Sequence, residues 1–263
     1  MDDMKVILKK ENGIGVVILN DPEHRNILSV PMVEALEKYL DECNTDPEIR
    51  VVVLRGAGKA FSAGGNLNAM KERVDTGNAK AYGEGVGKLG KAAVKIRYLR
   101  KPVIASIHGA AAGGGLNLAL ACDFRVVAQE TKLVFSFANI GLIPDLGGPL
   151  PLLRSIGVAR TTELLMTGRM FSAAEALDWG LINEVVPLDQ LEAATMRLAA
   201  KLAGGATVSY GYIKAMINQL AFHDLEAEIR NEAEYQAICA ATADHKEGVY
   251  AFLEKRTPVF RGK

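Results

Sequence analysis

The sequence predicts an α/β fold in which a largely parallel sheet is followed by a helical C-terminal region, and three observations carry that expectation. β-Branched runs (IGVVILN, IRVVVLRG, PVIASIHG and FRVVA) alternate with stretches of helical periodicity through the first half of the chain. After residue 150 successive helical segments dominate. No Pro/Gly/Ser-rich linker, repeat or low-complexity tract separates the two parts. The expected organisation is therefore a core domain over residues 1–195 carrying a helical extension over 196–263.

Each element follows from local chemistry. KVILKK and IGVVILN flank the turn residues Glu11 to Gly13 and read as a hairpin. Ser29 and Pro31 open a helix whose Val33, Leu36, Leu40 and Cys43 recur at helical spacing, and IRVVVLRG follows as a short buried strand. Residues 78–99 read as helix, PVIASIHG as strand, Gly113 to Ala121 as a buried helix and FRVVA as another strand, an alternation that implies parallel pairing. Further on, Ser172 and Glu175 form a capping box and Gly180 stops that helix. LINEVVP is the last strand, and helices run from Leu188 almost to the end.

Composition narrows the function classes. With 49% apolar residues, 263 positions can bury a large core. Lys plus Arg and Asp plus Glu number 31 each, so no global field draws the chain to nucleic acid or an anionic membrane. An anionic ligand has to be held by local groups. Cys43, Cys122 and Cys239 are far apart and lack metal-type spacing, which fits a reducing compartment without a disulfide framework or a metal site. MDDMKVILKK has no apolar leader core, and no run of about 18 apolar residues occurs to span a bilayer. The expected location is cytoplasmic, with no membrane and no nucleic-acid partner.

HGAAAGGGLNLALACDF, residues 108–124, spends seven of its first eight positions on Gly or Ala and then places Asn117 in an apolar run. It reads as a strand entering a buried helix through glycines. At such an N-terminus unpaired N–H groups and the positive end of the dipole face outward, and the missing β-carbons let a ligand oxygen approach. KAFSAGGNL, residues 59–67, repeats the arrangement with Gly64 and Gly65 ahead of Asn66 as a helix start. Two such donors converging on one oxygen would make an oxyanion hole. On chemistry alone, tight turns and close helix packing explain the glycines equally well, since neither a phosphate-loop Lys nor a GxGxxG pattern is present.

Taken together, AFSAGGNL, KPVIASIHGAAAGGGLNLALACDFRVV, FANIGLIPDLGG, MTGRMFSAAEALDWGLINEVV and FLEKRTPVF resemble the crotonase, or enoyl-CoA hydratase/isomerase, superfamily from about residue 5 to the end. The resemblance implies a crotonase-like (ClpP/crotonase) spiral of ββα units with C-terminal helices used for trimerisation, giving a homotrimer or a homohexamer. It also implies acyl-CoA thioester substrates and no separate cofactor, because coenzyme A is part of the substrate. Carried across by residue, it makes the backbone N–H groups of Gly65 and Gly114 the donors to the thioester oxygen, with Ala63, Gly64, Asn66 and Leu67 around the first of them. In DPEHRNILS it offers Arg25 to a CoA phosphate and Ile27 to the pocket edge, and in EKRTP it brings Lys255 toward CoA from a neighbouring subunit. Arg25 as a solvated charge and Lys255 as a helix-end cation remain plain alternatives.

The same resemblance separates reaction types. Hydratases of the family carry two glutamates, and here Asn117 and Phe137 stand in those places. Neither is a general base, so hydration by paired carboxylates is not supported. Asp145, in IPDLGG, stands where some isomerases and a dehalogenase of the superfamily carry their acting carboxylate. Asn and Phe at the other two places look similar to the ring-opening epoxide isomerases of phenylacetyl-CoA breakdown. One carboxylate beside a stabilised enolate implies a proton shuttle and hence isomerisation, with Phe137, Ile143, Leu146 and Pro149 raising the pKa of Asp145 by desolvation. A helix cap ahead of LGGPLPLL is the plainer role for Asp145. Asn66 departs from the family's more usual acidic residue, and His108 reads as a strand-end histidine with an ordinary hydrogen bond. Two alternatives stand beside the isomerase: a hydratase or acyl-CoA hydrolase whose water Asn117 helps to hold, and a non-catalytic acyl-CoA binding protein.

Overall fold

In the computed structural model, which describes residues 4–263, Asn12 and Gly13 both take left-handed backbone (φ 49° and 79°). They close the expected hairpin between β1 (Val6–Glu11) and β2 (Ile14–Leu19). The first three residues of MDDMKVILKK, part of the expected core domain 1–195, lie outside the described residues. Ser29 Oγ accepts the Met32 N–H at 3.3 Å and starts α1 (Val30–Thr45), which buries Val33, Leu36, Leu40 and Cys43 as their spacing predicts. β3 (Val51–Gly56) then pairs parallel to β2.

α2 (Leu67–Asp75) and α3 (Lys80–Tyr98) lead to β4 (Val103–Ile107), β5 (Ala110–Ala112), α4 (Gly114–Ala121), β6 (Phe124–Ala128) and β7 (Lys132–Val134). After a loop come α5 (Pro149–Thr167), broken at Gly157, then β8 (Met170–Ser172), α6 (Ala173–Asp178) and β9 (Glu184–Val186). Four helices finish the chain: α7 (Leu191–Ala203), α8 (Thr207–Ala221), α9 (Leu225–Ala240) and α10 (Ala243–Leu253).

The main sheet has the order β1-β2-β3-β4-β6-β9 and is parallel except at the hairpin. A second sheet, β5-β7-β8, is the feature that sequence patterning missed. Its strands are three residues each, too short for a period-two signal to rise above the flanking loops. Leu191, Ala194, Ala199 and Ala203 of α7 cover one face of the main sheet through Val51, Val53, Ile104 and Val126. The division expected at 195/196 therefore falls inside a helix that belongs to the sheet's packing.

The last helices turn back on the core. α9 packs along α3, and α10 packs on α2 and on the short 3-10 turn Ala138–Ile140. Cys43 and Cys122 are buried, Cys239 is half-buried, and all three are free thiols. Among the described residues no helix is long and apolar enough to cross a membrane.

Candidate active site

Two glycine-rich turns meet at the edge of the second sheet. Ser62 bridges to Ala111 in parallel register, and its carbonyl accepts the Ala112 N–H at 3.0 Å. Gly64 is left-handed (φ 80°) and packed so closely that a β-carbon there would lie 2.5 Å from the Ala112 carbonyl oxygen and 3.2 Å from the Gly114 nitrogen. That contact brings the start of α2 beside the start of α4. Asn66 caps α2 by accepting the Asn68 and Ala69 N–H groups on Oδ1, a role that an acid could fill equally well. Among the described residues neither the Gly65 nor the Gly114 N–H donates to a protein acceptor.

Gly65, Asn66, Gly114 and Asp145 line one cavity of about 280 Å³, with Met70, Val86 and Leu142 supplying apolar wall. A β-carbon on Gly114 would lie 3.2 Å from Asp145 Oδ1 and 3.0 Å from Leu146 Cδ1, so the carboxylate stands directly beside the α4 donor. Asp145 is 9% exposed and its Oδ1 has no hydrogen-bond partner. Burial pushes this carboxyl up to about 7, against the lowering effect of polar contacts from its own backbone and from Asn117. The helix-cap alternative is overturned: the N-cap position of α5 is Gly148, with no side-chain cap bond.

Asn117 lies beneath the site, 1% exposed, and donates from Nδ2 to the Asp145 carbonyl at 2.8 Å. It holds the backbone of the acid, and a β-carbon on Gly148 would collide with its amide at 2.0 Å. Phe137 is buried against Gly113 outside the cavity wall. Ala63 donates its N–H to the Arg25 carbonyl, Gly64 accepts from the Leu28 N–H, and Leu67 packs on the main core, all three behind the lining. Ile27 is half-buried; Arg25 and Lys255 are exposed, and none of the three lines the cavity. His108 Nε2 pairs with the Gly58 carbonyl at 2.9 Å, the ordinary bond expected of it.

Sequence reading missed a second carboxyl. Glu232, on α9, is 2% exposed; its Oε2 accepts the Gly147 N–H at 2.9 Å and its Oε1 has no partner. One turn on, Gln236 accepts the Ile143 N–H and donates to the Ile143 carbonyl, both at 3.0 Å. A signal was present: Leu225, Ile229, Glu232, Gln236 and Ala240 form the buried stripe of α9, and a Glu on such a stripe calls for an explanation.

Two unpaired glycine N–H groups and one buried carboxyl thus border one largely apolar cavity, and comparison with known proteins gives the family. A family model for enoyl-CoA hydratase/isomerase matches residues 9–263. The chain is 36% identical over 263 residues, all of both chains, to a trans-2-decenoyl-acyl-carrier-protein isomerase of Streptococcus mutans. It is 39% identical over 255 residues, 96% of this chain and 97% of the other, to a 1,2-epoxyphenylacetyl-CoA isomerase of Escherichia coli. A short-chain-enoyl-CoA hydratase of Clostridium acetobutylicum is 32% identical, with 97% of each chain covered. Among solved structures, an enoyl-CoA hydratase from Mycobacterium avium subsp. paratuberculosis superposes with a TM-score of 0.88 at 30% identity, with 98% of each chain covered. The chain belongs to the enoyl-CoA hydratase/isomerase family and has the crotonase fold.

Proposed function

We propose that the protein is an isomerase of unsaturated acyl thioesters that works by a single-carboxylate proton shuttle. The observation that carries this is the unpartnered Oδ1 of Asp145 beside Gly114, in the cavity that both glycine donors share. Ionised Asp145 takes a proton from one carbon of the acyl chain, and the electron pair moves into the thioester carbonyl as an enolate. The Gly65 and Gly114 N–H groups hold the oxyanion. The proton then returns to a different carbon and the double bond has moved. A base pushed up to about 7 suits this task, because it is ionised near neutral pH and still basic enough to accept a carbon-bound proton.

Two isomerases among the relatives support the reading, one named for an acyl-carrier-protein thioester and one for a CoA thioester. Arg25 and Lys255, exposed outside the cavity, are available to the phosphates of either carrier. For assembly we propose a homotrimer or homohexamer in the cytoplasm; the support is the apolar outer face of α8, where Val208, Tyr212, Met216 and Leu220 are exposed. The direct test incubates purified protein separately with 2-enoyl-CoA and 3-enoyl-CoA and resolves the products by liquid chromatography with mass detection, which separates the two positional isomers. An isomer of unchanged mass is expected. A 3-hydroxyacyl-CoA as sole product would replace the reading by a hydratase, free CoA by a hydrolase, and no turnover by a binding protein.

A further inference from the structure

The loop that carries Asp145 is held from above. Leu146 and Gly147 are both left-handed (φ 53° and 67°), and Leu146 is a non-glycine residue, 1% exposed, in a conformation that costs roughly 1–2 kcal/mol. Such a turn persists only where its surroundings hold it. Here α9 does so with two side chains one helical turn apart: Gln236 pairs with both polar groups of Ile143, and Glu232 accepts the Gly147 N–H. Asp145 lies between the two anchor points. The second Glu232 oxygen, fully buried, meets no donor.

We propose that Glu232 is a positioning residue of the reaction: as a neutral acid it holds the Gly147 N–H, and with it the turn that aims Asp145, without placing a second negative charge beside the enolate. The inference rests on the reading of Asp145 as the acting base. A buried carboxylate with one unpartnered oxygen is costly, whereas the protonated form leaves no charge unpaired. Its charged neighbours are Asp145 on the loop and Glu228 one turn back on α9, both acids. Burial first, and then these acids, push Glu232 up to about 9, against the lowering effect of the Gly147 N–H. The two carboxyls of one site are thus driven apart in acidity, one a base and the other a resident acid.

The pH dependence of kcat/KM in wild type, Glu232→Gln and Glu232→Ala tests this. Gln reproduces the neutral acid, so kcat near pH 7 should stay within about threefold of wild type, while Ala frees the turn and should lower kcat about tenfold or more with little change in KM. Wild-type activity should fall again as Glu232 ionises at alkaline pH, and that limb should be absent from Glu232→Gln. An unchanged alkaline limb in Glu232→Gln, a Gln variant as impaired as Ala, or one that fails to fold overturns the proposal. Infrared spectra of substrate-free protein at about pH 8 give an independent readout: wild type should show a protonated-carboxyl band that Glu232→Gln lacks. A missing band with isomerisation intact sinks this inference alone. The band present with no isomer formed leaves Glu232 protonated and sinks the isomerase reading of Asp145.

Discussion

Two aspartates in this molecule, Asp123 half-buried and Asp145 buried, have opposite surroundings. Asp123, at the end of α4, accepts from Arg97 at 3.3 Å, from Lys214 of α8 at 2.7 Å and from the Val103 N–H at 2.8 Å. Arg97 also bonds Asn218, so the cluster ties α8 to the core beneath a cavity of about 460 Å³. Among the described residues Asp145, at the smaller cavity, has no cation beside it and one oxygen with no partner. On the proposed reading of Asp145, the reactive place is the smaller cavity, marked by lack of compensation and not by size. A carboxylate whose charge is fully neutralised anchors structure, whereas one left uncompensated keeps a high proton affinity and can do chemistry.

The comparison breaks if the two sites respond alike to substitution. Gly114→Val should have the largest effect: its side chain enters the space between Asp145 Oδ1 and Leu146 Cδ1, and turnover of any acyl-CoA should fall beyond detection while circular dichroism stays native. Unchanged kcat/KM in that folded variant would remove the oxyanion assignment. Asp145→Asn should lower isomerisation at least about a hundredfold, the scale of a general base. Asn117→Ala, which removes a bond to the Asp145 backbone and not the base, should cost less. Equal losses in the two would shift the chemistry toward Asn117.

Asp123→Asn should do the reverse. It leaves Arg97 and Lys214, with side chains only 8% and 7% exposed, without their counter-ion, and should destabilise by about 3–5 kcal/mol in urea unfolding. Activity per folded molecule should remain wild-type. A loss of kcat at full folding would mean that the cluster belongs to the reactive machinery. The smallest effect sharpens the contrast through pH. The Asp145 pKa rises on folding from 3.8 to about 7, so the native state holds more protons in that window and this group weakens stability as pH climbs through it. Asp145→Asn should therefore gain about 2 °C or more in Tm over wild type at about pH 8, relative to the gap at about pH 4. A gap independent of pH would show that the carboxyl is not raised.

Much of the frame was legible because its causes are local. The Asn12-Gly13 turn, the Ser29 cap and the reciprocal Ser172–Glu175 box each need only residues within a few positions, and each forms as its residue types require. The two glycine turns were legible as places where side chain had been given up. Asp145 stood out through the resemblance, and the buried position beside Gly114 supports that choice. The second sheet was not legible, because three-residue strands have no period to read. Glu232 shares a stripe of α9 with Leu225 and Ile229, a signal that marks it as buried but does not say what covers it.

By itself, then, the sequence determined the strands of the main sheet and the longer helices, where the glycines open two helix starts, and that Asp145 stands among apolar neighbours. Tertiary structure decided the acidity and aim of that carboxylate. Proton affinity depends on everything within a few ångströms, and the group that fastens the Asp145 turn comes from a helix 85 residues further along the chain. Pattern along a chain records near neighbours; solvent exclusion and charge compensation are set by what folds back over them.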